Sequence, residues 1–321
     1  MKVHVLAAAL VLAIVWHGSP TRMAAQAAQE APSFTLKKVA DGVYAAINPD
    51  GGKAGSNAGF VVGSDSVLVV DSFIAPEPAQ QLLAEIRKVT QLPVRYVVNT
   101  HYHLDHTGGN AVFAAAGATI IAQKNVRAWE HTENLKFFGP DPKPEQKQRV
   151  ESLALPTLVY DSGALDLFLG ARDARIVYLL GHTGGDSVVY LPDANVVFTG
   201  DLLWNHRLPN LIDASTDKWI ETLEAMLARH PDATFVPGHG DVAKADDVRA
   251  FRGYLVDLRD AVAGAQKAGK SGQALTDAVT AALDAKYSSW ASYKFFLQRN
   301  IEQTAAELAG NKKIPLTSAA K

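Results

Sequence analysis

The sequence predicts an α/β protein, on three observations. Short β-branched runs alternate with stretches of helical periodicity, the ends of those runs carry polar residues in both halves, and 321 residues at 48% hydrophobic content suffice for one large domain plus an appendage.

Taken in order, residues 1–27 stand apart. Lys2 precedes a mostly apolar stretch from Val3 to Trp16, followed by Gly18-Ser19-Pro20 and the small-residue run Ala24-Ala25-Gln26-Ala27-Ala28. An A-x-A site at Ala25 and Ala27 completes the pattern of a secretory signal peptide and predicts a periplasmic or secreted protein. The apolar run is shorter than a bilayer span needs, so no stable membrane insertion is expected after cleavage. Strand-like segments then fall near 34–47, 57–71, 94–99, 118–122, 157–180, 187–199 and 233–237, and helical periodicity near 76–90, 107–116, 217–230 and 244–267. Residues 131–156, with Phe137-Phe138-Gly139-Pro140 and spaced prolines, read as an irregular insertion, either a connector or a lid. Beyond 267 the chain predicts two helices, and the aromatic cluster of the second (Trp290, Tyr293, Phe295, Phe296) reads as a core or dimer contact.

The chemistry is concentrated in Thr100-His101-Tyr102-His103-Leu104-Asp105-His106, which follows the strand-like Val94 to Asn99. In an extended segment alternate side chains share a face, so His101, His103 and Asp105 project together. A bend before Thr107 then lets His101 and His103 aim at one metal while Asp105 and His106 aim at a neighbour. Three imidazoles and a carboxylate in six positions are donors suited to zinc-type metals. Further donors follow apolar runs: His182 after Arg175 to Leu180, Asp201 after Val196 to Gly200, and His239 in Pro237-Gly238-His239-Gly240.

Here the chain resembles the metallo-β-lactamase superfamily, whose signature is His-x-His-x-Asp-His followed by a distant His, an Asp and a final His. The resemblance covers roughly residues 34–240. It implies a four-layer αββα sandwich over residues 28–267 with a C-terminal helical extension over 268–321. It also implies two Zn(2+) per chain, with iron or manganese as alternatives. The first metal would take His101, His103 and His182, and the second Asp105, His106 and His239. Asp201 would bridge them, and Asp71, ending Val67 to Val70, would orient the site from behind the ligands. Asp105 and Asp201 are the catalytic candidates.

Two divalent cations sharing a water supply a hydroxide nucleophile, polarise a carbonyl and take the leaving group. The expected reaction is hydrolysis of an ester, lactone, thioester or β-lactam in a small molecule. An iron-dependent redox enzyme of the same fold, similar to sulfur dioxygenases, is the alternative, as is a β-lactamase proper. The absence of cysteine excludes thiol nucleophiles and thiolate ligands. A net charge of -2 without a basic run argues against a nucleic-acid partner. Tyr102 as an oxyanion donor, and His206 and Arg207 bordering the metals, are the substrate-binding candidates. His131 and His230 read as ordinary polar positions.

Overall fold

Alternation of apolar residues builds the layers. In β4 (Val67–Val70) the side chains of Leu68 and Val70 enter one apolar cluster and those of Val67 and Val69 another, as a period of two requires when a strand is covered on both faces. In β11 (Val196–Trp204) Val196 and Phe198 face inward and Val197 faces out. The computed structural model describes residues 32–314, so the expected signal segment lies outside the described residues.

A seven-stranded sheet runs in the order β1 (Thr35–Ala40), β2 (Val43–Ile47), β3 (Ala58–Val62), β4, β5 (Val94–Val98), β6 (Thr119–Gln123) and β7 (Leu158–Tyr160). Its first four strands pair antiparallel, and β4 to β7 pair parallel. A five-stranded sheet has the order β12 (Thr234–His239), β11, β10 (Asp186–Leu191), β9 (Asp173–Leu179) and β8 (Ala164–Phe168). The inner faces meet through Val43, Leu68, Val98 and Ile121 on one side and Ile176, Val189, Phe198 and Val236 on the other.

Helices close both outer faces. α1 (Pro76–Val89) starts with proline, whose missing N–H costs nothing there, and buries Ala79, Leu82 and Ile86 against the larger sheet. α6 (Thr216–Arg229), whose N-cap Ser215 accepts from the Lys218 N–H, and α7 (Ala245–Lys267) cover the smaller sheet. α8 (Gly272–Tyr287) and α9 (Tyr293–Leu308) pack on α7 and share its apolar cluster through Val279, Leu283 and Ile301. The architecture is the four-layer αββα sandwich with two further helices. No helix among the described residues is long and apolar enough to cross a membrane.

Three expectations change in detail. The long strand-like run 157–180 is three strands: the chain crosses from the larger sheet to the smaller at Gly163 and turns back in the β8–β9 hairpin at Gly170, both glycines at positive φ. The helix expected over 107–116 is two short ones, α2 (Leu104–Thr107) and α3 (Asn110–Ala115). They are parted at Gly108-Gly109, where a Cβ would fall 2.1 Å from the Ile74 and Ser72 carbonyl oxygens respectively. The insertion 131–156 is largely helical, with a 3-10 helix over Glu133–Phe138 and α5 over Pro144–Glu151.

Candidate metal centre

The site lies where β4, β5, β11 and β12 end or turn outward. After β5 the chain bends over residues 100–102, His103 caps α2, and the first helical turn swings Asp105 and His106 away from His101 and His103. The turn of the chain expected before Thr107 thus takes the form of a bend followed by the helical turn of α2. β11 runs on past Gly200, whose φ of 51° and approach to Thr100 (a Cβ would meet its Oγ1 at 2.3 Å) exclude a side chain. That tight passage delivers Asp201 between the two histidine sets.

Donor atoms of His101, His103, His182 and Asp201 lie within 4.8 Å of one another, and those of Asp105, His106 and His239 form a second group on the same criterion. Asp201 spans both. Its Oδ2 is 3.6 Å from His101 Nε2 and 3.2 Å from His182 Nε2, while its Oδ1 is 3.1 Å from His106 Nε2 and 3.4 Å from His239 Nε2. Asp105 Oδ2 stands 3.3 Å from His239 Nε2.

Supporting contacts select which ring nitrogen faces the centre. Asp71 Oδ2 sits 2.8 Å from His106 Nδ1 and leaves Nε2 inward, while the same carboxylate accepts the Thr100 N–H and hydroxyl, both at 2.8 Å. Asp213 Oδ2 sits 3.3 Å from His103 Nε2, which leaves Nδ1 facing His182 at 3.0 Å. Thr100 Oγ1, 3.1 Å from His101 Nδ1, leaves that ring's Nε2 inward.

A divalent cation fits this donor set. The buried atoms His101 Nε2, His106 Nε2, His182 Nδ1, Asp201 Oδ1 and His239 Nε2 make no hydrogen bond, an arrangement that is costly unless a ligand satisfies it. All but the His182 Nδ1 are atoms that face the cluster. Burial weighs against charge on His106, but the carboxylates of Asp201, Asp105 and Asp71 outweigh it and hold the imidazole well above its ordinary pKa. At His101 burial, with His106 beside it, drives the value well below. Burial opposes ionisation of Asp201, yet the surrounding imidazoles, His239 and His106 foremost, hold it well below the carboxylate range.

The remaining candidates divide. Tyr102 is fully buried and its hydroxyl donates to Asp213, so it braces the site rather than meeting a substrate oxyanion. His206 points to Asp247 at 3.2 Å, outside the cavity at the cluster. Arg207 does line that cavity, with its guanidinium held by the Asp50 carboxylate. His131 lies 3.1 Å from the Leu153 carbonyl, and His230 caps α6.

Sequence reasoning missed Asp213, which sits in an irregular segment with no spacing signal. It also missed Trp204, stacked on His239 at 3.9 Å between ring centroids. Of the aromatic residues expected to pack, Tyr293 belongs to the core, Trp290 packs against it, and Phe296 packs against it while also lining the cavity; Phe295 lines the cavity and is exposed. Residues 131–156 supply a wall, since Phe137, Phe138 and Arg149 line the same space.

The model of the metallo-beta-lactamase superfamily matches residues 51–239. The chain belongs to that superfamily. Among its superfamily relatives, hydroxyacylglutathione hydrolase of Brucella anthropi is 28% identical over 184 residues, 57% of this chain and 61% of that enzyme. Hydroxyacylglutathione hydrolase of Rhodobacter capsulatus is 27% identical over 211 residues, 64% of this chain and 72% of that enzyme. Metallo-beta-lactamase type 2 of Bacteroides fragilis is 22% identical over 228 residues, 68% and 84% of the two chains. The solved metallo-beta-lactamase from Pontibacter korlensis superposes with a TM-score of 0.55 at 21% identity, covering 70% of this chain and 99% of its own, which establishes the shared superfamily fold.

Proposed function

We propose that this chain is an exported, dinuclear zinc hydrolase that cleaves a carbonyl–heteroatom bond in a small molecule. The observation that carries the reading is Asp201, whose two oxygens face two separate sets of donors. His101, His103, His182 and Asp201 would hold one ion, and Asp105, His106, His239 and Asp201 the other. Ions held there would supply Lewis acidity and a water acidified towards neutral pH.

The protein's own part is positioning. Asp71 and Asp213 keep His106 and His103 in single orientations, so the centre needs little rearrangement to act. Both carboxylates line the cavity, and the side chain of Asp105 retains 28% exposure where that of Asp201 retains 2%, which makes Asp105 the more open of the two and suited to orient an incoming water. In the net reaction the water oxygen bonds to the carbonyl carbon and the carbon–heteroatom bond breaks. One water proton ends on the departing oxygen, sulfur or nitrogen. Names of relatives support ester-like and lactam bonds alike, and the aspartate in place of a thiolate ligand favours the thioesterase and lactonase side.

The test is elemental analysis of the exported protein, followed by turnover of ester, thioester, lactone and cephalosporin substrates with and without chelator. Zinc at about two per chain with chelator-sensitive hydrolysis supports the reading. Iron without hydrolysis overturns it.

A further inference from the structure

Six large hydrophobic side chains are exposed among the described residues, and two of them, Phe137 at 38% and Phe295 at 71%, line the cavity in front of the His/Asp cluster. Exposed rings gathered at a concave site mark a surface that something apolar covers. They arrive from distant segments, one from the 3-10 helix after α4 (Lys124–Trp129) and the other from α9.

The rings behind them continue the surface on both sides of the cluster. Phe137 meets His103 edge-on with ring centroids 4.8 Å apart. On the far side Trp204 stacks on His239, Phe296 meets Trp204 edge-on at 5.9 Å, and Phe295 meets Phe296 at 4.7 Å. Either substituent of a carbonyl lying over the cluster therefore faces an aromatic wall. The cavity measures about 420 Å³, room for a substrate the size of an aryl ester.

Of the two cations that line the cavity, Arg207 is paired with Asp50, while Arg149 donates to the Ile74 carbonyl at 2.8 Å and keeps its charge. Asn210 and Ser292, the uncharged polar side chains of the lining, offer hydrogen bonds but no charge. A flat apolar group brought among the rings would exchange water for ring contacts.

We propose that this site selects carbonyl substrates bearing an aromatic or similarly flat apolar group, received by Phe137, Phe138, Trp204, Phe295 and Phe296. The inference rests on the hydrolase reading above and names the substrate class of that same site.

The experiment has two arms. In the first, zinc-loaded wild type and the Phe295→Ala variant are assayed on two thioesters, S-phenylacetyl-N-acetylcysteamine and S-acetyl-N-acetylcysteamine. The expected result is a kcat/KM for the phenylacetyl compound at least about 10-fold above the acetyl one. Phe295→Ala should cut that preference by about 3- to 10-fold, the worth of one ring contact. Equal rates in the wild type, or an equal loss on both substrates in the variant, would overturn the proposal.

The second arm measures binding of the non-hydrolysable ketones 4-phenylbutan-2-one and butan-2-one by calorimetry. The aromatic ketone should bind more tightly and lose affinity in Phe295→Ala. No binding, or equal binding of the two, would overturn the proposal. If neither thioester is hydrolysed, this arm still decides what the cavity accepts, and the ester, lactone and cephalosporin assays decide the hydrolase reading separately.

Discussion

Asp213 supports His103 from behind: its Oδ2 lies 3.3 Å from the imidazole Nε2, and its Oδ1 takes the Lys136 ammonium at 2.5 Å. One buried carboxylate thus joins a metal-facing ring to the 3-10 helix that carries Phe137 into the cavity. Burial opposes its ionisation, but hydrogen bonding and charge from His103, with Lys136 added, outweigh that and hold Asp213 well below the usual carboxylate range.

Replacing Asp213 with asparagine keeps the size and removes the charge. The expected outcome is a 10- to 100-fold loss of zinc affinity, roughly the cost of removing a partner behind a ligating histidine. A chelator-competition titration checks it. Unchanged affinity would show that His103 keeps its orientation by packing alone.

Asp201 and Asp105 should fail differently. Because Asp201 faces both donor sets, Asp201→Ala should weaken both metal sites together, while Asp105→Ala should weaken the second and spare the first. In each case the affinity loss should exceed the roughly 10- to 100-fold expected for a supporting partner, and turnover should nearly vanish with the fold intact. Stepwise metal titration with circular dichroism on the same samples separates these effects. Full turnover in Asp105→Ala would exclude a mechanism that uses both sets.

Gly238 makes Asp201 possible. A Cβ at that position would fall 1.9 Å from Asp201 Oδ1, far inside contact distance and against a carboxylate fixed on a buried strand. Gly238→Ala should therefore expel the carboxylate from its place, with a destabilisation of about 1–3 kcal/mol for overpacking and a disproportionate loss of bound metal. Denaturant unfolding paired with metal content tests it. A stable variant with full metal would mean that β12 can shift to accommodate the methyl.

Much of this centre is legible in the sequence because its donors lie in or just beyond strands. His182, Asp201 and His239 each follow an apolar run; His239 ends β12, Asp201 lies within β11, and His182 follows β9, so the sheet delivers each to a fixed place. What could not be read is whatever depends on contacts between distant segments. Asp213 has no periodic neighbour to flag it, and its partners Tyr102, His103 and Lys136 are 77 to 111 residues away. Phe295 and Phe296 follow the same rule. An aromatic on an amphipathic helix looks alike whether it meets a core or a cavity, and only the packing of α9 on α7 decides which. The helical content of 131–156 was hidden by its prolines, of which Pro144 opens α5 rather than breaking a helix.

Glu130 supplies a prediction away from the metals. It is fully buried at the end of α4, and neither carboxylate oxygen has a hydrogen-bond partner. Burial therefore pushes its carboxyl well above the ordinary value, with Arg127 opposing only in part. The folded protein then keeps a proton that the unfolded chain releases once pH passes the ordinary glutamate range. Stability from this group is present at low pH and falls as pH rises towards the folded-state value, because the native state binds more protons over that window. Glu130→Gln removes the titration. Relative to wild type, the variant should gain stability between pH 5 and pH 8, by up to about 1.4 kcal/mol per pH unit, the worth of the one proton that the native state retains. Urea midpoints at the two pH values measure the gain. A constant difference between the proteins would mean that Glu130 is ionised in the fold and paired with Arg127.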